Sequence, residues 1–368
     1  MKKKRQKIWI GIVVVVVLLA LSAVVVFRMP TAPAAELKLA RKKLADAQES
    51  GADIYTPKLY NEAQQCYDSA MIYWSVQNER FFLNREYSKV KEQVDRSIQK
   101  ATEASGKAHE LKEKTSSFLV RGMKSLNQKV SMYEQVYKKM PLPDSVTEAY
   151  NRGKLKLAEC RVAYEAGRLT EARKNYDQAE QLIGNSINRS EQFLNQWFVS
   201  YPQWKKNGNE AIRLSRGGKK VILVDKYAHR CVVYQNGQII KAFDAELGIN
   251  WMGDKRLKGD KATPEGIYRV IQKKDRQHTR FHQALLINYP NDEDKRRIAT
   301  EKKNGTLARL ALPGGLIEIH GHGGKGVNWT DGCVALKNED MEILFRLVEV
   351  GTPVVIVGSL KSLAEIHR

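Results

Sequence analysis

One short stretch of the chain gathers the residue types that could do covalent chemistry. It reads Ile317-Glu-Ile-His320-Gly-His322-Gly-Gly-Lys-Gly-Val-Asn-Trp329-Thr330-Asp331-Gly332-Cys333-Val-Ala-Leu336. A free thiol ionises near ~8.5, so a cysteine becomes a nucleophile at neutral pH only with an imidazole or fixed dipoles beside it. Cys333 could be that nucleophile, with His320 or His322 as its base. Two other chemistries fit the same residue types: Cys333 as a small buried hydrophobe with loop histidines, and a metal site, since His-x-His followed by Cys offers three soft ligands. Residue types alone leave all three open.

The elements around these residues decide what they can do. Ile317 and Ile319 alternate with Glu318 and His320, the pattern of a half-buried strand that delivers His320 at its end. Gly321, Gly323, Gly324 and Gly326 then permit a loop whose backbone passes close to a ligand. Thr330-Asp-Gly-Cys333 predicts a tight turn, in which backbone N–H groups can surround a sulfur and an oxyanion formed beside it. Further strand-like runs lie at 220–224, 230–234, 238–243, 266–271, 284–288, 316–320 and 354–357, and Asn236-Gly237 is a two-residue hairpin signal. One clear helical pattern, 338–350, interrupts them. The spacing predicts a mainly-β domain over 219–358, a linker over 198–218 and a C-terminal tail over 359–368.

Upstream the composition changes. Residues 35–197 are rich in Ala, Glu, Lys, Gln, Leu and Tyr with helical periodicity, and proline occurs there only at positions 57, 141 and 143. Glu62-Ala-Gln-Gln-Cys66-Tyr67-Asp68-Ser-Ala70 matches Glu171-Ala-Arg-Lys-Asn-Tyr176-Asp177-Gln-Ala179. Each follows a Leu-Ala helix and a glycine, Gly51 or Gly167, so a repeated helical hairpin is expected. Such a region reads as a spacer or a protein-docking module. A basic tail, 1–7, precedes an apolar run over 8–27, long enough at ~1.5 Å per residue to cross a ~30 Å hydrocarbon core. The reading is a single-pass transmembrane signal anchor in the cytoplasmic membrane, with the catalytic domain on the extracytoplasmic, periplasmic or cell-wall side.

Taken in order, Gly259-Asp-Lys-Ala-Thr263-Pro264-Glu-Gly266-Ile-Tyr268, Ile319-His320-Gly321, Thr330-x-Gly332-Cys333 and Gly351-Thr-Pro-Val-Val-Ile-Val357 resemble the L,D-transpeptidase catalytic domain (YkuD-like) over roughly 219–358. The resemblance implies a YkuD-like sandwich and a cysteine acyltransferase acting on peptidoglycan stem peptides. It assigns Cys333 as nucleophile and His320 as general base. It also implies that the Gly321 carbonyl orients the ring, with Asp331, Gly332 and Cys333 offering oxyanion N–H groups. Contacts to substrate are expected from His322, Trp329, Thr330 and Tyr289. No cofactor and no metal are expected under this reading. The chain departs from many relatives at Asp331, where histidine is common, and at Ala335, where arginine or asparagine is common; only 12 residues separate His320 from Cys333. Hydrolysis of the same bond, as in an L,D-carboxypeptidase, and a non-catalytic wall-binding scaffold are the competing readings.

Composition agrees with a wall or surface setting. The net charge is +21, spread along the chain without any nucleic-acid motif, so anionic surfaces rather than nucleic acid are the expected partners. Four cysteines, Cys66, Cys160, Cys231 and Cys333, are too few and scattered for a disulfide scaffold.

Overall fold

A computed structural model describes residues 9–20 and 30–366. The run read as a transmembrane anchor, 8–27, lies partly outside the described residues, and the basic tail lies wholly outside them. Its described part, α1 (9–20), is helical. No helix among the described residues is long and apolar enough to cross a membrane. The transmembrane helix, and the single-pass membrane location read from it, are corrected accordingly.

The helical region comprises α2 (Ala34–Glu49), α3 (Ala52–Tyr55), α4 (Pro57–Asn78), α5 (Ser88–Val136), α6 (Asp144–Glu165) and α7 (Leu169–Phe198). Compactness divides the described chain into two units, one ending at Lys124 and including 159–176, the other formed by 125–158 and 177 onward. The first unit is cored by small side chains. Ala47, Ala52, Ala63, Ala101, Ala104 and Ala108 are fully buried, which lets helix backbones approach closely. Polar side chains exploit that closeness: Thr56 Oγ1 donates to Ala104 O and Ser97 Oγ to Ala63 O. Gly51 and Gly167 sit between helices with φ of 83° and 74°, the left-handed conformation glycine adopts without steric cost. Cys66, Cys160, Cys231 and Cys333 form no disulfide among the described residues.

In the second unit the segment read as a linker is largely a helix, α8 (Tyr201–Ser215). It lies on the sheet because Trp204, 2% exposed, packs on Gly358, where a Cβ would sit 2.3 Å from the indole. Eight strands follow: β1 (Val221–Asp225), β2 (Arg230–Gln235), β3 (Gln238–Asp244), β4 (Gly266–Lys274), β5 (Ala284–Ile287), β6 (Glu318–His320), β7 (Val334–Ala335) and β8 (Pro353–Val357). They form one continuous sheet in the order β3-β2-β1-β8-β4-β5-β6-β7, which corrects the expected sandwich. β1 with β8 and β6 with β7 pair in parallel; the other pairs are antiparallel. Asn236 and Gly237 turn the β2–β3 hairpin with φ of 52° and 78°, as a type I′ turn requires. β1 is buried along its whole length, as its unbroken apolar run demands.

Two helices interrupt the strands before the last of them, α9 (Asp292–Lys303) and α10 (Asn338–Leu347); a short α11 (Leu363–Ile366) ends the described chain. α9 is a second helix where one was expected. It is almost wholly polar and so shows no apolar stripe. Its start is fixed by a reciprocal capping box, Asn291 Oδ1 accepting from Asp294 N–H while the Asp294 carboxylate accepts from Asn291 N–H.

Candidate active site

The site lies at the β5-β6-β7 end of the sheet. β6 carries His320 as its last residue, and β7 begins one residue after Cys333. Their parallel register, Ile319 opposite Val334 and His320 opposite Ala335, brings the histidine strand beside the cysteine turn. The intervening loop returns because Gly323 N–H donates to Leu336 O and Leu336 N–H to His320 O.

His320 is fully buried. Its Nδ1 lies 2.6 Å from Gly321 O; a carbonyl can only accept, so Nδ1 carries the hydrogen and neutral His320 keeps its lone pair on Nε2. Nε2 has no hydrogen-bond partner among the described residues. The Phe281 ring stacks on the imidazole at 3.5 Å between centroids and 8° between planes, and Trp329 approaches it edge-on at 5.9 Å. Burial pushes the imidazole down to about 4, and the charges of His322, Arg280 and Lys325 add to the effect against the bond to Gly321.

Cys333 is partly exposed. Its Sγ accepts from Glu318 N–H at 3.4 Å and donates towards Leu316 O at 3.7 Å. Burial is the largest influence and pushes the thiol up to about 11; the bond from Glu318 N–H and the charges of Arg280 and Lys255 pull the other way. The resting pair is therefore neutral thiol and neutral imidazole, the combination in which imidazole can still accept a proton.

The turn before the cysteine is held from three directions. Thr330 Oγ1 donates to Cys333 O at 2.7 Å and accepts from Gly332 N–H at 3.2 Å, so Thr330 is buried and shapes the turn. Asp331 is exposed, and its carbonyl accepts from Lys255 Nζ at 3.4 Å. Lys255, 3% exposed, also donates to Asp260 at 2.8 Å and to Leu257 O. Gly332 has φ of 126°, and a Cβ there would lie 2.4 Å from Ala262 O. The Cys333 amide, in contrast to that of Gly332, donates to no acceptor among the described residues.

The Thr263-Pro264-Glu-Gly266 motif acts from beneath. Lys261 O and Ala262 O press on Gly248 and Gly332, and Thr263 Oγ1 accepts from Gly248 N–H at 3.1 Å. The motif is itself anchored by fully buried Lys226, which donates to Gly253 O, Thr263 O and Glu265 at 2.7, 2.9 and 2.8 Å. Glu265 also accepts from Trp204 Nε1 at 2.7 Å. A chain of hydrogen bonds thus runs from α8 through Glu265 and Lys226 to the backbone under the cysteine turn.

The remaining expected residues are placed less uniformly. His322 is exposed with φ of 69°, its N–H bound to Asn338 Oδ1 at 2.8 Å and its ring 6.0 Å from that of Phe281. Trp329 is half-buried beside His320, and its Nε1 donates to Glu246 at 2.7 Å. Tyr289 is buried, with its hydroxyl 3.3 Å from both Lys255 O and Pro313 O. Those bonds tie it to the Lys255 segment. Ala335 is fully buried between the backbone groups of Glu246. Phe281, Arg280, Lys325, Glu246 and Lys255 all bear on the site and were missed, because each lies on a loop whose sequence has no period. Among the described residues no three His, Cys, Asp or Glu side chains gather closely enough to hold a metal ion.

Residues 219–356 match the family model of YkuD, the L,D-transpeptidase catalytic domain. No curated protein matches the chain. Similar solved structures include an L,D-transpeptidase of Xylanimonas cellulosilytica (residues 123–326), at 16% identity and a TM-score of 0.26, covering 38% of this chain and 60% of that one. The L,D-transpeptidase of Mycobacterium smegmatis gives 14%, 0.25, 38% and 58% in the same order, and L,D-transpeptidase 1 of Mycobacterium tuberculosis gives 17%, 0.25, 38% and 62%. The chain thus spans less than two thirds of the length of these proteins.

Proposed function

We propose that the domain matched over 219–356 transfers acyl groups between peptidoglycan stem peptides through a thioester on Cys333. One observation carries the reading: inside the matched segment a strand and a turn paired in parallel present a buried imidazole with bare Nε2 beside a cysteine turn with an unoccupied amide. In the first half-reaction His320 Nε2 takes the Cys333 proton as sulfur attacks the carbonyl preceding the terminal D-alanine. The Cys333 N–H receives the oxyanion. The C–N bond then breaks, and the imidazolium returns the proton to the leaving amine. In the second, an acceptor amine attacks the thioester, loses its proton to His320, and the thiol is regenerated.

Of the oxyanion donors expected, Gly332 N–H is already committed to Thr330 Oγ1, which leaves the amides of Asp331 and Cys333; that of Cys333, on the attacking residue itself, is the donor we favour. The His320 tautomer is held by Gly321 O, and Phe281 and Trp329 keep the imidazole dry, which favours its neutral, basic form. For the helical region preceding the domain we propose a spacer or docking role for a protein partner. Incubating the full chain with a tetrapeptide stem and an amine acceptor tests the function. Amide-linked product with release of D-alanine is expected; release of D-alanine with no linked product would assign hydrolysis instead.

A further inference from the structure

Two cations stand on the aromatic rings that enclose His320. The Arg280 guanidinium lies 4.9 Å from the centre of Phe281, the ring stacked on the imidazole, and Lys325 Nζ lies 3.3 Å from the centre of Trp329, the ring at its edge. Both side chains are exposed. Such cation–π seats hold long side chains that would otherwise wander. Neither cation makes an ion pair with an acidic group among the described residues, whereas nearby Arg276 pairs with Glu342 and Lys274 with Glu318. Glu246 stands at Trp329, with one oxygen accepting from Gly326 N–H at 2.6 Å and the other from Trp329 Nε1 at 2.7 Å. Asp331, on the turn itself, is exposed.

We propose that Arg280 and Lys325 form a two-point clamp for carboxylates of the acyl donor, making the site selective for anionic peptides. The inference rests on the reading of Cys333 as the acyl-accepting thiol and adds the chemistry by which its substrate is recognised. Two cations seated on the rings around the base, neither held in an ion pair among the described residues, raise the local concentration of an anionic reactant. They also disfavour a third positive charge on His320, so the feature that draws the substrate in keeps the base unprotonated. Donor stems, with the free carboxylate of their terminal residue next to the bond that breaks, are the substrates such a clamp fits.

The test compares alkylation of Cys333 by iodoacetate and by iodoacetamide, followed by peptide mass spectrometry on the full chain and on the R280Q/K325Q double variant. The two reagents differ in charge, and their rate ratio cancels any change in thiol ionisation. The clamp predicts that the double variant lowers the iodoacetate-to-iodoacetamide ratio by about tenfold, that each single variant lowers it part of the way, and that added salt lowers the wild-type ratio alone. An unchanged ratio, with iodoacetamide still reacting at Cys333, would overturn the clamp whether or not the protein turns over stem peptides. A tetrapeptide donor and its C-terminal amide, run in parallel, read the same selectivity in catalysis: the double variant should lose more kcat/KM for the acid than for the amide. Absence of turnover by the wild type with a normal alkylation ratio would count against the transferase reading and leave the clamp standing.

Discussion

Protonating His320 puts a charge into a wholly buried site beside two cations, and the imidazole is held down to about 4. Two expectations follow from the sign of that shift. In catalysis, the acidic limb of the pH–rate profile for kcat/KM should fall near pH 4 and not near the ordinary histidine value of ~6.5. In stability, a group whose folded value is depressed favours the folded state fully above about 6.5, and that contribution is lost as pH falls from there to about 4. The loss is on the order of 3 kcal/mol. Urea midpoints measured between pH 7 and pH 4 should fall for the wild type and fall less for His320→Gln. The thiol, pushed up to about 11, should give iodoacetamide rates that keep climbing through pH 9. A plateau by pH 8 would mean a preformed thiolate. At this scale the sequence singled out the pair proposed to carry the chemistry, since Cys333 and His320 stand out by type, spacing and motif. It could not show their protonation, which burial sets, nor the cations of Arg280 and Lys325, which reach the site only through the rings beneath them.

Backbone shape at the cysteine turn belongs to a glycine and its neighbours. Gly332 combines φ of 126° with a Cβ position 2.4 Å from Ala262 O, so Gly332→Ala should cost about 1–3 kcal/mol in backbone strain. By moving Cys333 it should also slow acylation by about 100-fold, read by unfolding and by single-turnover kinetics. Lys226→Met tests the support below. It removes the partner of buried Glu265 and leaves Gly253 O and Thr263 O without their donor, a loss of about 3–5 kcal/mol in thermal unfolding. The motif Thr263-Pro264-Glu-Gly266 was legible as a motif, but its work as a floor under Gly332 was not, because the contact is between backbone atoms. The strands were read well where apolar runs or Asn236-Gly237 marked them. α9 was missed because capping, not an apolar stripe, defines it. The transmembrane reading rested on length and apolarity alone, and no helix among the described residues is long and apolar enough to cross a membrane.

For the molecule as a whole, the unit that carries the candidate site begins earlier than the strands do. α8 lies where composition suggested a linker, and its Trp204 is locked between Gly358 and the Glu265 carboxylate. A fragment starting at 219 should accordingly be less stable than one starting at 198, by at least about 3 kcal/mol, the loss typical of a buried tryptophan. Equal melting curves for the two would contradict the role given to α8. The boundary was hidden because a short helix bearing glycine and aromatics looks like a connection until its tryptophan is seen under the sheet. The central claim is that Cys333 carries the acyl group. Mass spectrometry of the full chain quenched during reaction with a tetrapeptide stem tests it most directly. The expected result is a tripeptide acyl adduct on the peptide containing Cys333, with D-alanine released and no adduct or turnover in Cys333→Ala. Turnover of the stem by Cys333→Ala at the wild-type rate would contradict the account.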